Sequence, residues 1–182
     1  GRIDGILVID EAYVDFAETN CLGLVDNHPN VIILRTLSKS YSLAGLRLGF
    51  GIAREEIING MIKVKDSYNV DRLSMEGVVA ALDDQENMKA NVEKIKKTRS
   101  LLSKTLSKWG FNVYPSQSNF VFTGCPNGVD AKKIFLELKN RKILVRYFEK
   151  RRTDNCLRIT IGTDHEIQTL LDNIADILNI SN

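Results

Sequence analysis

The sequence predicts an α/β chain that ends in a smaller α+β region behind one long helix. Three observations carry this. Two continuous apolar runs, residues 6–9 and 31–34, stand about twenty residues apart, and the first ends in Asp10-Glu11. Such runs fit strands of a parallel sheet covered on both faces. Residues 83–109 then form a long charged stretch with apolar positions at Met88, Val92, Ile95, Leu101, Leu102 and Leu106. Beyond Gly110 the pattern turns to strand, helix, strand, strand, helix.

Taken in order, residues 6–9 and 31–34 are strands, joined by a crossover or loop that contains Asn20, Gly23, Asn27 and Pro29. Residues 47–53 are a third strand, with Gly49 and Gly51 where backbones can approach closely. Residues 54–64 read as a helix with Glu55 and Glu56 in its first turn, and residues 74–82 as a second. The long helix over 83–109 stops at Gly110 and is long enough to bridge two domains. Short strands follow at 111–114 and 120–123, then a helix over 130–139 with Asp130 as N-cap. Strands at 143–147 and 157–161 lead to a final amphipathic helix over 163–180, which opens with the capping box Thr163-x-x-Glu166. There is no internal repeat and no low-complexity segment.

Composition limits the function classes. The 182 residues are 43% hydrophobic and 26% charged, which fits one large or two small packed domains. A formal charge of +2 is too close to neutral to imply a nucleic-acid or membrane partner by bulk electrostatics. Cys21, Cys125 and Cys156 are scattered and odd in number, so reduced thiols are expected. No run approaches eighteen apolar residues, and the start carries no signal-peptide pattern. The chain opens at Gly1-Arg2-Ile3-Asp4 without an initiator Met, which reads as an internal cut in a longer protein.

Ligands of open α/β sheets bind beyond the carboxyl ends of strands. Asp10 closes the first run and Tyr13 follows it; Ser38 and Lys39 follow the second, and Arg47 ends the loop that Lys39 begins. One sheet edge therefore offers a carboxylate, a phenol, a hydroxyl, an amine and a guanidinium. Pyridoxal phosphate asks for those five groups. A carboxylate keeps its ring nitrogen protonated, a phenol donates to its ring oxygen, an amine forms the Schiff base, and arginine with serine holds the phosphate. Taken singly, each is ordinary: Asp10 a turn or cap, Tyr13 a half-buried aromatic, Lys39 a solvated amine, Arg47 a surface cation. The order and the spacing set the group apart.

"VIDEAYVDF" followed by "TLSKSYSLAGLRLGFGIA" resembles the fold-type-I, pyridoxal-phosphate-dependent aminotransferases of class I/II, and within them the histidinol-phosphate aminotransferase branch. "SYNVDRLSMEG" resembles a Tyr-Asn-Val segment of that branch, with Ser67 where a proline is usual, and "YPSQSNFVF" and "CLRITIGT" resemble its small-domain strands. The resemblance implies the C-terminal part of that fold. Residues 1–82 would be the remnant of the mixed large-domain sheet, and residues 83–182 the connecting helix and the small α+β domain.

It implies Lys39 as the catalytic lysine that carries the cofactor, Asp10 at the pyridine nitrogen, Tyr13 at the ring oxygen, and Ser38 and Arg47 at the phosphate. Arg158 would bind the acidic group of the amino substrate, with Arg146 a candidate second anion contact. Period two supports part of this independently: Leu157, Ile159 and Ile161 share one strand face and Arg158 and Thr160 the other, so Arg158 needs an anion, or else a structural ion pair. The implied reaction is transamination of L-histidinol phosphate with 2-oxoglutarate in a cytoplasmic homodimer, with amino and keto acids as partners and neither nucleic acid nor membrane. The family's glycine-rich phosphate loop and ring-stacking aromatic would lie upstream of Gly1, so the chain by itself would hold half a pocket and be inactive. Apolar faces left open would then favour aggregation.

Alternatives within the fold are threonine-phosphate decarboxylase and an aromatic aminotransferase. Outside it is a binding module, on the basic clusters Lys94 to Arg99 and Lys150-Arg151-Arg152; the first interleaves with Glu93 and reads as a solvated face. No GxSxG, no Walker loop and no metal-ligand spacing is present.

Overall fold

The computed structural model describes residues 3–180. Two compact units divide between Val92 and Glu93, inside one continuous helix, where the sequence sets the boundary at 82/83.

In the first unit β1 (Leu7–Asp10) runs parallel to β2 (Val31–Thr36), with Leu7 beside Val31 and Asp10 beside Leu34. The crossover between them carries a 3-10 turn, Val14–Phe16, and the short helix α1 (Gly23–Asn27). β3 (Gly49–Ala53) pairs antiparallel with β2, so the sheet is mixed. Leu7, Ile9, Val31, Ile33 and Ile52 share the face that α1 covers through Val25. Arg54 ties the end of β3 to α1, donating from Nε to the Val25 carbonyl at 3.2 Å and from Nη2 to that of Asp26. Those carbonyls end α1 and lack helical partners. The expectation of burial on both faces holds for Val31, Ile32 and Ile33 of β2, and fails at Leu34, which is 38% exposed, and in β1. Val8 is 52% exposed, because no described element packs over that side of an edge strand. α2 (Glu55–Val64) and α3 (Arg72–Asp83) follow; α3 starts two residues earlier than the sequence predicts, because Asp71 caps it by accepting the Ser74 N–H at 2.9 Å.

α4 (Gln85–Lys108) ends where the sequence places its stop. Gly110, at φ +83°, lets the Phe111 N–H reach the Leu106 carbonyl at 3.1 Å and its own N–H reach Ser107 at 3.1 Å, the paired bonds of a Schellman motif. In the second unit β4 (Asn112–Val113), β5 (Phe120–Gly124), β6 (Arg146–Tyr147) and β7 (Cys156–Thr160) form an antiparallel sheet in the order β4-β5-β7-β6. α5 (Ala131–Asn140) and α6 (Asp164–Leu178) supply apolar faces to it. Leu102, Leu106, Val121, Ile134, Leu138, Leu157, Ile159 and Ile174 are each at most 2% exposed and form one core. Burying each such side chain contributes about 1.5–3 kcal/mol. Asp130 caps α5, and Thr163 with Glu166 closes both bonds of the predicted capping box on α6.

Candidate functional site

The sequence-predicted residues fall in two groups, one in each unit. The first group gathers at the carboxyl end of β1 and β2. Asp10 ends β1 with its carboxylate exposed, one oxygen accepting the Ala12 N–H at 2.9 Å. The turn this fixes brings Tyr13 back beside the loop that follows β2. Lys39 Nζ lies 5.3 Å from the centre of the Tyr13 ring. No carboxylate among the described residues pairs with Lys39.

The Lys39 loop is built tightly from its two ends. Leu37 is 1% exposed, and its N–H and carbonyl bond Leu48 and Leu43 at 3.3 Å and 3.1 Å. Thr36 Oγ1 lies 3.2 Å from the Leu48 carbonyl and 3.0 Å from Ser38 Oγ, and takes the Ser38 N–H at 3.2 Å. The Thr36 hydroxyl has one proton, shared between the Leu48 carbonyl and the Ser38 hydroxyl as acceptors. One residue before Leu48, Arg47 sits at φ +54° and donates to the Ala44 carbonyl at 3.0 Å; Ser42 is at φ +58°. Neither is glycine, so each left-handed residue costs about 1 kcal/mol, a strain concentrated in the loop that carries Lys39.

Two pairs that the motif reading does not single out hold this edge. Glu11 is buried and takes Arg35 Nε at 3.0 Å and Nη2 at 2.8 Å on one carboxylate oxygen. Ser40 donates its hydroxyl to Asp15. The signal for the first was the parallel register: with Asp10 beside Leu34, the next residues along are Glu11 and Arg35.

The second group lies on β6 and β7. Arg146 and Arg158 are direct cross-strand partners, and Arg158 is also opposite Phe122 of β5. All three lie on the face opposite Val121, Leu157 and Ile159, as period two requires. The Arg158 guanidinium is 5.3 Å from the Phe120 ring centre and 5.8 Å from that of Phe148; Arg146 is 5.6 Å from Phe148. No carboxylate among the described residues meets either arginine, so the structural ion pair is excluded for Arg158, whose Nε is buried without an acceptor.

The basic cluster before Arg99 is a solvated helix face, with Lys96 bound to Glu93 at 3.0 Å, and Lys150-Arg151-Arg152 lies in the exposed β6–β7 loop. Among the described residues no helix is long and apolar enough to cross a membrane.

The first unit thus sets a lysine over a tyrosine at the end of a mixed sheet, and the second is a small antiparallel sheet with helices. The chain belongs to the aminotransferase class I and II family, whose model matches residues 2–174. It is 51% identical over 177 residues to histidinol-phosphate aminotransferase 1 of a Nostoc species, and 48% identical over 177 residues to the histidinol-phosphate aminotransferase of Syntrophotalea carbinolica. Those alignments cover 97% of this chain and 50% and 51% of the relatives, so the chain spans about half the length of the curated relatives it matches. The crystal structure of histidinol-phosphate aminotransferase from Sinorhizobium meliloti, a complex with pyridoxal-5′-phosphate, superposes with a TM-score of 0.85 at 29% identity, over 96% of this chain and 49% of that one. The enzyme from Clostridium acetobutylicum superposes with a TM-score of 0.87 at 23% identity, over 96% of this chain and 54% of that one, a likeness of fold.

Proposed function

We propose that this chain is the lysine-bearing part of an enzyme that exchanges the amino group of L-histidinol phosphate with 2-oxoglutarate, giving imidazole acetol phosphate and glutamate in histidine biosynthesis. The family works on amino and keto acids with pyridoxal phosphate. The observation that carries the reading is Lys39, whose amine faces the Tyr13 ring at 5.3 Å on the sheet edge that also bears Asp10 and Ser38.

The donor set there fits the cofactor. Lys39 would hold its aldehyde, Asp10 its ring nitrogen, Tyr13 its ring oxygen, and Ser38 with Arg47 its phosphate. Bound there, the cofactor supplies an electron sink for the pair left when the substrate α-C–H bond breaks. The chain's own residues do the rest. Lys39 Nζ takes the α-proton as general base and gives it back as acid once the pair has moved. The Asp10 carboxylate, fixed by the Ala12 N–H, would hold a positive charge on the cofactor's ring nitrogen. Arg158 and Arg146 bind the substrate's anionic groups; the Arg158 Nε, with no acceptor among the described residues, supports that assignment.

Two observations favour histidinol phosphate over the other substrates of the fold. Relatives at 51% and 48% identity carry that name, whereas the L-threonine-O-3-phosphate decarboxylase of Porphyromonas gingivalis is 20% identical and shares the fold alone. The same reading makes the whole enzyme a cytoplasmic homodimer and this chain, at half the relatives' length, inactive by itself. Ile6 and Val8, exposed at 55% and 52%, give it apolar surface for the rest of the enzyme.

The test is direct. Treat the protein with pyridoxal phosphate, reduce with borohydride, digest, and map the added mass. Label confined to Lys39 is expected; label spread over the other lysines overturns the site. Lys39→Arg keeps the charge and abolishes the label.

A further inference from the structure

Arginines aimed at an anion need support that leaves their charge unspent. A carboxylate partner would orient a guanidinium and also neutralise it, competing with the ligand. Here the support is aromatic. Arg146 and Arg158 stand directly opposite each other across β6 and β7, and like charges in that position repel. Phe148, just past the end of β6, meets both guanidiniums, at 5.6 Å and 5.8 Å from its ring centre. Its ring is itself braced edge-on by Phe122, with centroids 6.3 Å apart. Phe120 meets Arg158 at 5.3 Å.

We infer that Phe148 is a positioning residue for the substrate's anion: it holds the two guanidiniums together as a pair suited to a doubly charged group such as a phosphate monoester. This rests on the assignment of Arg146 and Arg158 to the substrate. The ring's negative face attracts both cations and offsets their repulsion without consuming a hydrogen-bond donor. The terminal N–H groups of the pair meet no acceptor among the described residues and remain for the ligand, while the Arg158 Nε is buried. A dianion between them replaces the repulsion by two charge-assisted contacts, and a planar fork on each side suits its oxygens. Leucine at this position would fill space but leave two mutually repelling arginines free to turn outward.

The experiment is a titration with inorganic phosphate at constant ionic strength, on the intact chain and its Phe148→Leu, Phe148→Tyr and Arg158→Gln variants. It is read through the arginine side-chain ¹⁵N–¹H resonances. In the wild-type chain the Arg146 and Arg158 signals are expected upfield, shifted by the Phe148 ring current, and to move on adding phosphate. Phe148→Leu should lose the upfield shift and weaken phosphate about tenfold, as expected when two cation–π contacts go. Phe148→Tyr should restore both within about twofold. Arg158→Gln should abolish the response. If Phe148→Leu binds phosphate as well as wild type while Arg158→Gln does not bind, the positioning role is wrong and the anion site stands. If Arg158→Gln binds normally, the anion site itself is wrong, and the inference falls with it. Should Phe148→Leu unfold, the wild-type resonances decide: arginine signals at unshifted positions overturn the stack without any variant.

Discussion

Buried Glu11 and half-buried Arg35 form an ion pair between the ends of β1 and β2, with the Arg35 Nε and Nη2 at 3.0 Å and 2.8 Å from one oxygen. The other oxygen accepts the Cys21 N–H. One side chain thus fixes the end of β1, the end of β2 and the crossover, directly beside Asp10. Glu11→Ala leaves a half-buried guanidinium and the Cys21 N–H without this acceptor, at a cost of about 2 kcal/mol. Removing Arg35 as well should cost less than the sum of the single changes, because the stranded charge goes too. Urea midpoints of Glu11→Ala, Arg35→Met and the double variant measure this; strict additivity would show that the pair does not act as a unit.

Gly49 marks a second tight point. A Cβ there would lie 2.7 Å from the Arg35 carbonyl oxygen, a backbone atom that cannot turn away. Gly49→Ala must push β3 off β2 and should destabilise by about 2 kcal/mol. Gly51 is the control two residues on. Its added methyl would meet Leu34 Cδ2 at 3.5 Å, an ordinary contact, so Gly51→Ala should fall within about 0.5 kcal/mol of wild type. Equal losses in the two variants would place the constraint elsewhere.

The order of elements was legible in the sequence because each is punctuated by a local signal. Gly110 closes α4, Asp130 opens α5, and Thr163 with Glu166 opens α6, and the structure uses each one. The strand at 143–147 shrinks to Arg146–Tyr147 for a reason no local signal marks. Lys142 takes φ +64° and ends α5 as Gly110 ends α4, so the Ile143 N–H goes to the Leu138 carbonyl at 2.9 Å instead of to β7. A lysine in the left-handed region is uncommon, and a glycine there would have announced the stop. The same contrast holds in the candidate site. Lys39, Tyr13 and Asp10 stand out by motif, whereas Glu11–Arg35 and the Phe148 stack depend on strand register, which joins residues distant in sequence.

The cap of α6 gives a pH-dependent local signature. The Thr163 N–H and hydroxyl bond the Glu166 carboxylate at 2.7 Å and 2.9 Å and hold its pKa below the ordinary glutamate value. A lowered folded pKa means that the folded state binds the proton less readily than the unfolded one. The contribution is therefore present above the unfolded value and is lost as pH falls through the folded one. Hydrogen-exchange protection in the first turn of α6, corrected for the intrinsic rate, should fall as the pH drops below about 4, with little change near neutrality. Thr163→Ala should shrink that step without abolishing it, because the backbone N–H bond to Glu166 remains, and should cost about 1 kcal/mol. A first turn whose protection is the same at pH 3 and pH 6 would contradict the cap.

At the other end of the pH scale, Cys125 is the informative group. Burial first, then the nearby Cys156 thiol and Asp130 carboxylate, push its pKa up to about 12. A thiol whose folded pKa exceeds its unfolded value of about 8.5 stabilises the fold fully below that value. Between the two values the unfolded state loses its proton and the folded state does not, so stability falls as pH rises from about 9 towards 12. At pH 8 Cys125 should resist alkylation, since the thiolate is the nucleophile and the sulfur is buried, whereas Cys21, half-buried, should react first. Cys125→Ala should flatten the alkaline part of the stability curve while leaving Cys21 reactivity unchanged. Rapid labelling of Cys125 in the native chain at pH 8, or an alkaline slope left unchanged by the substitution, would show that the thiol is not held in the core next to α5; a smaller slope remains from Cys156, whose pKa burial also raises.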